Sequence, residues 1–217
     1  MQHDRKCRTD PPVSLFALSY CLLYPDGMEI VLASASPRRQ ELLRRIGLRF
    51  TVDPSDCRED GHLDLGPCER ARQVSLEKAR AVAASHSNAL VIAADTFIVS
   101  EGQVLGKPHT PDEARRMLKS LSGCSHTAIT GFTILDTTDG KALSQAVETR
   151  IYVRELSERE IDSYVSSGEP LDKAGAYAIQ GLGSVLIDRI EGDYNNVVGL
   201  PLSALAEALK SFGVNIL

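Results

Sequence analysis

The chain predicts an α/β fold built on a mixed β-sheet in one domain, and three observations carry that expectation. Apolar strand patterns alternate with amphipathic helix patterns through its first half. Two long strand patterns further on are joined at Asp139-Gly140, a pair that favours an antiparallel hairpin. No internal repeat, low-complexity tract or linker interrupts the chain after residue 28.

The elements follow in order. Residues 29 to 33 read as a buried strand, and the stretch LASASPRRQELL turns it into a helix over 37 to 46. There Ser36 suits the N-cap and Pro37 the first helical position, Leu42, Leu43 and Ile46 form the buried face, and Gly47 ends the helix. A helix over 67 to 85 precedes a strongly apolar strand over 90 to 99. The next helix, 111 to 121, has Thr110 as N-cap, Pro111 at its first position, Glu113 completing a capping box and Gly123 just beyond its end. Its apolar face is Ala114, Met117, Leu118 and Leu121. Strands over 125 to 135 and 143 to 154 form the hairpin. A second capping box, Ser157 with Glu160, opens a helix that ends at Gly168. A glycine-rich loop, a strand over 184 to 190 and a helix from Pro201 to Phe212 close the chain.

With 217 residues, 43% of them hydrophobic and 24% charged, the chain can bury a full core. Its net charge of -5 argues against a nucleic-acid partner or an acidic membrane, because both demand a broad basic surface. Any anion site is therefore local. Five cysteines without a CxxC pair, and five scattered histidines, indicate neither a disulfide framework nor a zinc site, which points to the reducing cytoplasm. Residues 1–27 hold Arg5, Lys6 and the apolar run VSLFALSYCLLY. That run is too short to span a bilayer, and no small-x-small cleavage site precedes Asp26-Gly27. Met28 is the expected functional start, with 1–27 a dispensable or non-native extension and 28–217 a single domain.

Four features could carry chemistry. A helix start already bears partial positive charge, so Arg38 and Arg39 are the wrong sign there unless an anion joins them. With free backbone N–H groups and the hydroxyls of Ser34 and Ser36 they make a phosphate-binding set; the plainer alternative is solvated or carboxylate-paired arginines. Asp95 stands in the apolar strand VIAADTFIV, where an unpartnered carboxylate costs several kcal/mol. Either it works chemically, or it closes the strand and caps a turn. Lys78 and Lys107 join the set only if they converge on one cleft. The segment VLGKP around Lys107 is no Walker A loop, since Glu101 stands where a glycine is needed and Pro108 follows the lysine. The loop EPLDKAGAYAIQG, from Glu169 to Gly181, offers an amide, an acid and an aromatic suited to reading a base, or is simply a connector.

Taken together, SASPRRQELL, AADT, VLGKP, EPLDKAGAYAIQG and Asn196-Val197-Val198-Gly199-Leu200-Pro201 resemble the Maf family of nucleoside triphosphate pyrophosphatases, in order and spacing, over residues 29 to 213. The resemblance implies a fold related to inosine triphosphate pyrophosphatase: a long, twisted mixed sheet flanked by helices, in two lobes around a nucleotide cleft. It implies hydrolysis between the α and β phosphates with a divalent cation, magnesium or manganese, and often a homodimer. The catalytic aspartate falls on Asp95, the phosphate-contacting set on Ser34, Arg38, Arg39, Lys78 and Lys107, and an acidic metal partner on Glu59. Around Glu59 the family's run of acids is broken by Arg58. The loop resembles the branch acting on dTTP and UTP, whose specificity positions match Arg38, Thr96 and Gln180. Gln180 could pair its amide with a pyrimidine carbonyl and imide N–H. Asp95 is then general base, metal ligand or both, for a water attacking the α phosphorus. Two other readings stay open: the same chemistry on 7-methyl-GTP, and a non-catalytic nucleotide-binding regulator of septum formation.

Overall fold

The protein is described by a computed structural model over residues 27–57 and 64–217. The expectations for residues 1–26 and for Glu59 lie outside the described residues. Seven strands form one sheet: β1 Glu29–Leu32, β2 Thr51–Val52, β3 Ala89–Ser100, β4 Gln103–Leu105, β5 Ser125–Asp136, β6 Ala142–Val153 and β7 Ile187–Glu191. The order is β2-β1-β3-β5-β6-β7, with β4 paired to β3. β1 runs parallel to β2 and β3, and every other pairing is antiparallel, so the sheet is mixed as the sequence predicts.

Pairing along β3 makes the opening that the site uses. On the side away from β5, β1 covers Ala89 to Ile92 and β4 covers Ile98 to Ser100. Among the described residues no strand pairs that edge between them, where Asp95 and Thr96 lie. Asp95 therefore sits in mid-strand, opposite Gly131 of β5, and does not close the strand as the alternative reading had it.

The helices are α1 Pro37–Arg45, α2 Pro67–Ala83, α3 Pro111–Leu121, α4 Glu158–Ser166, α5 Tyr194–Val198 and α6 Leu202–Lys210. Three caps are as read: Ser36, Thr110 and Ser157 each accept a backbone N–H from the first turn. Of these three, only α4 has the reciprocal box. There Glu160 accepts from Ser157 N, and Arg154 together with Ser157 holds its carboxyl down to about 2. At α3 the Glu113 carboxylate reaches one residue further back, to His109 N at 2.6 Å, so the expected box is half made. Pro201 caps α6 from outside; it is not in the first turn.

Alternation along β3 sorts the core onto two faces. Leu90, Ile92 and Ala94 join α1 and α6 residues such as Leu42, Leu43, Leu205 and Leu209. Val91 and Ala93 face Ala79 and Val82 of α2. A separate cluster gathers α3 and α4 with Ile98, Ile151 and Tyr177. α2 approaches the sheet closely because β5 has glycine at 131, where a Cβ would lie 2.1 Å from Ala71 O.

Candidate active site

The cleft at the open edge of β3 is assembled from five distant segments. A cavity of about 250 Å³ is lined by Ser36, Arg38 and Arg39 of the α1 start, Asp95 and Thr96 of β3, Lys107, Asp172, Lys173 and Tyr177 of the glycine-rich loop, and Gly199. A second, of about 590 Å³, shares Ser36, Arg38, Arg39, Lys107, Asp172 and Lys173 and adds Ser34, Ser55 and Lys78. The structure thus brings Ser34, Arg38, Arg39, Lys78, Asp95, Thr96 and Lys107 to one continuous cleft. Its lining holds five cationic side chains against the carboxylates of Asp95 and Asp172, in a chain of net charge -5. The local sign is reversed, as an anion site requires.

Asp95 and Lys78 face each other from β3 and α2. The Lys78 ammonium donates to Asp95 Oδ1 at 2.6 Å, with both side chains at least nine-tenths buried. Alternation explains the meeting: Asp95 shares the face of Val91 and Ala93, over which α2 packs. The ammonium supplies the countercharge without which a buried carboxylate is costly.

The two arginines part company. Arg38 is half-buried and lines both cavities. Arg39 spreads its fork over the protein itself: Nε donates to Gly199 O at 2.9 Å, Nη1 to Ser34 Oγ at 3.1 Å and Nη2 to Thr96 Oγ1 at 3.2 Å. It ties the α1 start to β3 and to the end of α5. Behind Thr96 the chain of hydroxyls continues to Thr130 Oγ1 at 3.0 Å, and Thr130 donates to Asn196 O at 3.0 Å.

Gln180 does not line the cavity of Asp95. It lies in an adjoining pocket of about 200 Å³ with Arg38, Glu41, Arg45 and Val198, so Arg38 stands between the two. The loop that carries Gln180 is held from outside. Glu169 accepts from Tyr164 OH at 2.9 Å, Leu182 N at 3.0 Å and Gly183 N at 2.9 Å. Burial works against the Glu169 carboxylate, but these donors outweigh it and hold the group below its usual range. Gly175 and Ala176 both take left-handed backbone, φ 71° and 62°; for alanine that costs roughly 1–2 kcal/mol. The pair turns the chain so that Tyr177 meets His126 of β5, Nε2 to OH 2.6 Å, with the rings edge to face. Burial pushes His126 down to about 4, so it stands neutral at pH 7.

Several site residues escaped the sequence reading. Asp172 and Lys173 line both cavities and form an ion pair; they lie inside the quoted loop, which was the signal available. Thr130 was invisible as a functional residue, since nothing local marks a buried threonine in a strand; Asn196 lies in a motif already singled out, without a role of its own assigned there.

Among the described residues no group of three His, Cys, Asp or Glu is placed to cage a metal. The cavity of the buried Asp95 carboxylate is also lined by the Asp172 carboxylate and the hydroxyls of Ser36 and Thr96, all hard oxygen donors. That set fits an ion of the magnesium type, which keeps its waters and binds through one or two carboxylates and substrate phosphates.

Residues 29–212 match the family model described as Maf-like protein. A dTTP/UTP pyrophosphatase of Moorella thermoacetica is 51% identical over 188 residues, covering 87% of this chain and 97% of its own. One from Methanosarcina mazei is 48% identical over 188 residues, covering 86% and 95%. The solved structure of a HAM1 protein from Coxiella burnetii shares the fold, with a TM-score of 0.52 at 17% identity over 85% of this chain and 99% of that one. No helix among the described residues is long and apolar enough to cross a membrane.

Proposed function

The chain belongs to the Maf family, and from that premise we propose that it hydrolyses dTTP and UTP to the nucleoside monophosphate and pyrophosphate. The observation that carries this reading is the cleft at the open edge of β3, where one buried carboxylate, Asp95, is surrounded by Lys78, Arg38, Arg39, Lys107 and Lys173. A triphosphate is the anion such a concentration of cations suits, and a buried acid among them is placed to handle water.

In this reading Asp95 accepts a hydrogen bond from the attacking water and takes its proton as oxygen bonds to the α phosphorus. The α–β bridging oxygen leaves with the pyrophosphate. Lys78 holds the Asp95 carboxylate in place from behind. Arg38, Lys107 and Lys173 draw the developing negative charge on the departing phosphates, and need little rearrangement because α1, the segment after β4 and the loop already present them at the cleft. Arg39 acts chiefly by fixing Ser34, Thr96 and Gly199 in place along the wall of the cleft. Gln180, one pocket away across Arg38, offers both a donor and an acceptor to the polar edge of a pyrimidine. Magnesium or manganese would be held by Asp95 and the triphosphate, with Glu59 a further ligand, and would supply positive charge to the phosphate oxygens.

Pyrophosphate release measured over a nucleotide panel, with and without magnesium, tests the reading. Turnover of dTTP and UTP well above that of CTP, GTP and 7-methyl-GTP is expected. Preference for 7-methyl-GTP, or binding with no turnover of any nucleotide, would overturn it.

A further inference from the structure

The hydroxyl of Thr96 can only receive a hydrogen bond from a nucleotide in the cleft, and the reason lies behind it. Thr130, fully buried on β5, has a single hydroxyl proton, and its 3.0 Å contact to the carbonyl of Asn196 consumes that proton, since a carbonyl cannot donate. The 3.0 Å contact between Thr130 Oγ1 and Thr96 Oγ1 must then be made by the proton of Thr96. Arg39 Nη2 occupies one lone pair of Thr96 from a third direction. What Thr96 retains is one lone pair, and it lines the cavity that holds Asp95. The relay does not drift, because Asn196 is pinned: its side-chain nitrogen donates to Ala128 O at 3.2 Å and to Thr149 Oγ1 at 2.9 Å.

We propose that Thr130 is a positioning residue that sets the hydrogen-bond polarity of Thr96, so that the cleft selects a nucleotide presenting an N–H or O–H donor at that point. The inference rests on the functional reading above and deepens it. Two donors common to dTTP and UTP have this chemistry: the imide N–H of the base and the 3′-hydroxyl of the sugar. CTP carries an acceptor in place of the first. 3′-O-methyl-UTP carries an acceptor in place of the second.

The test is kcat/KM for UTP, CTP and 3′-O-methyl-UTP in the wild type and in Thr130→Val, Thr130→Cys and Thr130→Ser. Valine fills the same space but leaves the Thr96 proton without an acceptor, so that proton turns into the cleft and tolerates an acceptor there. The preference for UTP over CTP, or over 3′-O-methyl-UTP, should then fall roughly tenfold, about the effect of one mismatched hydrogen bond. Whichever ratio falls names the donor. Cysteine, a weak acceptor, should behave like valine, and it keeps the test open if the valine variant does not fold. Serine restores the hydroxyl and should keep the wild-type ratios. Both ratios within twofold of wild type in folded Thr130→Val or Thr130→Cys would overturn the proposal, as would Thr130→Ser shifting them equally. An absence of UTP turnover in the wild type would remove the functional reading and this inference with it; turnover with unmoved ratios removes the inference alone.

Discussion

Lys78 Nζ lies 2.6 Å from Asp95 Oδ1, and through that contact the helix over one face of the sheet is joined to the strand whose edge opens into the cleft. In the proposed reaction this one ion pair serves both the chemistry and the packing, and the two roles can be separated by substitution.

Asp95→Asn keeps the shape of the side chain and an acceptor for Lys78 but cannot take a proton from water. Turnover of UTP should fall by roughly a thousandfold, within the range that general-base groups supply. Binding of UTP, followed by calorimetric titration, should change far less. Near-normal pyrophosphate release from this variant would remove Asp95 from the reaction.

Lys78→Met leaves Asp95 as an uncompensated buried charge and should cost about 3–5 kcal/mol of stability at neutral pH. Adding Asp95→Asn to it removes that charge, so the double variant should be more stable than Lys78→Met alone. Denaturant unfolding of the wild type, both single variants and the double variant measures the coupling. A double variant less stable than either single one would mean that the pair is not what joins α2 to β3.

Gly131→Ala probes the same helix from the sheet side. The added methyl would lie 2.1 Å from Ala71 O, a backbone atom that cannot rotate away. Overpacking of this kind costs about 1–3 kcal/mol or more. Because α2 must lift, Lys78 moves with it, and turnover should drop along with the melting temperature. An unchanged melting temperature would show that α2 yields without cost.

Arg38 and Arg39 should respond differently. Arg38→Ala should raise KM for every triphosphate and blur discrimination among bases, with little change in stability, since the side chain lies between the Asp95 cavity and the Gln180 pocket. Arg39→Lys keeps the charge but loses the fork that spans Gly199, Ser34 and Thr96. It should cost roughly 1–3 kcal/mol of stability as well as activity. Equal thermal stability in the two variants would make both arginines plain phosphate clamps.

That contrast also marks how far the sequence could be read. The cap, the proline and the apolar face of α1 are local features, so the helix was legible; so was Asp95, because an acid inside an apolar strand is conspicuous wherever the strand goes. The partners were not legible. Gly199 lies 160 residues from Arg39, and Lys78 on an amphipathic helix looks like any solvated lysine until α2 is laid over β3. The short strands β2 and β4 and the single turn of α5 have too few residues to show a period. Yet β4 closes one end of the gap, and α5 carries Asn196, which anchors the relay behind Thr96.

Glu169 ties the Gln180 loop to α4, and its titration should be visible in the acid limb of stability. Its carboxylate receives hydrogen bonds from Tyr164 OH and from the backbone N–H groups of Leu182 and Gly183, directly after Gln180 and Gly181. Against the push of burial, these donors leave the folded-state pKa lower than that of the unfolded chain. A group depressed on folding stabilises fully above its unfolded value, about 4.3 for glutamate, and loses that contribution as pH falls through the lower folded value. Glu169→Gln replaces one acceptor oxygen with a donor that must face a backbone N–H, so the variant should be about 1–3 kcal/mol less stable at pH 7. The difference from wild type should shrink as pH drops below about 4, where the wild-type carboxylate is itself protonated. Because the loop positions Gln180, the same variant should raise KM for UTP more than it lowers kcat. Thermal unfolding from pH 3 to 7 and steady-state kinetics at pH 7 check the two halves; a stability difference independent of pH would show that the Glu169 charge is not what holds the loop.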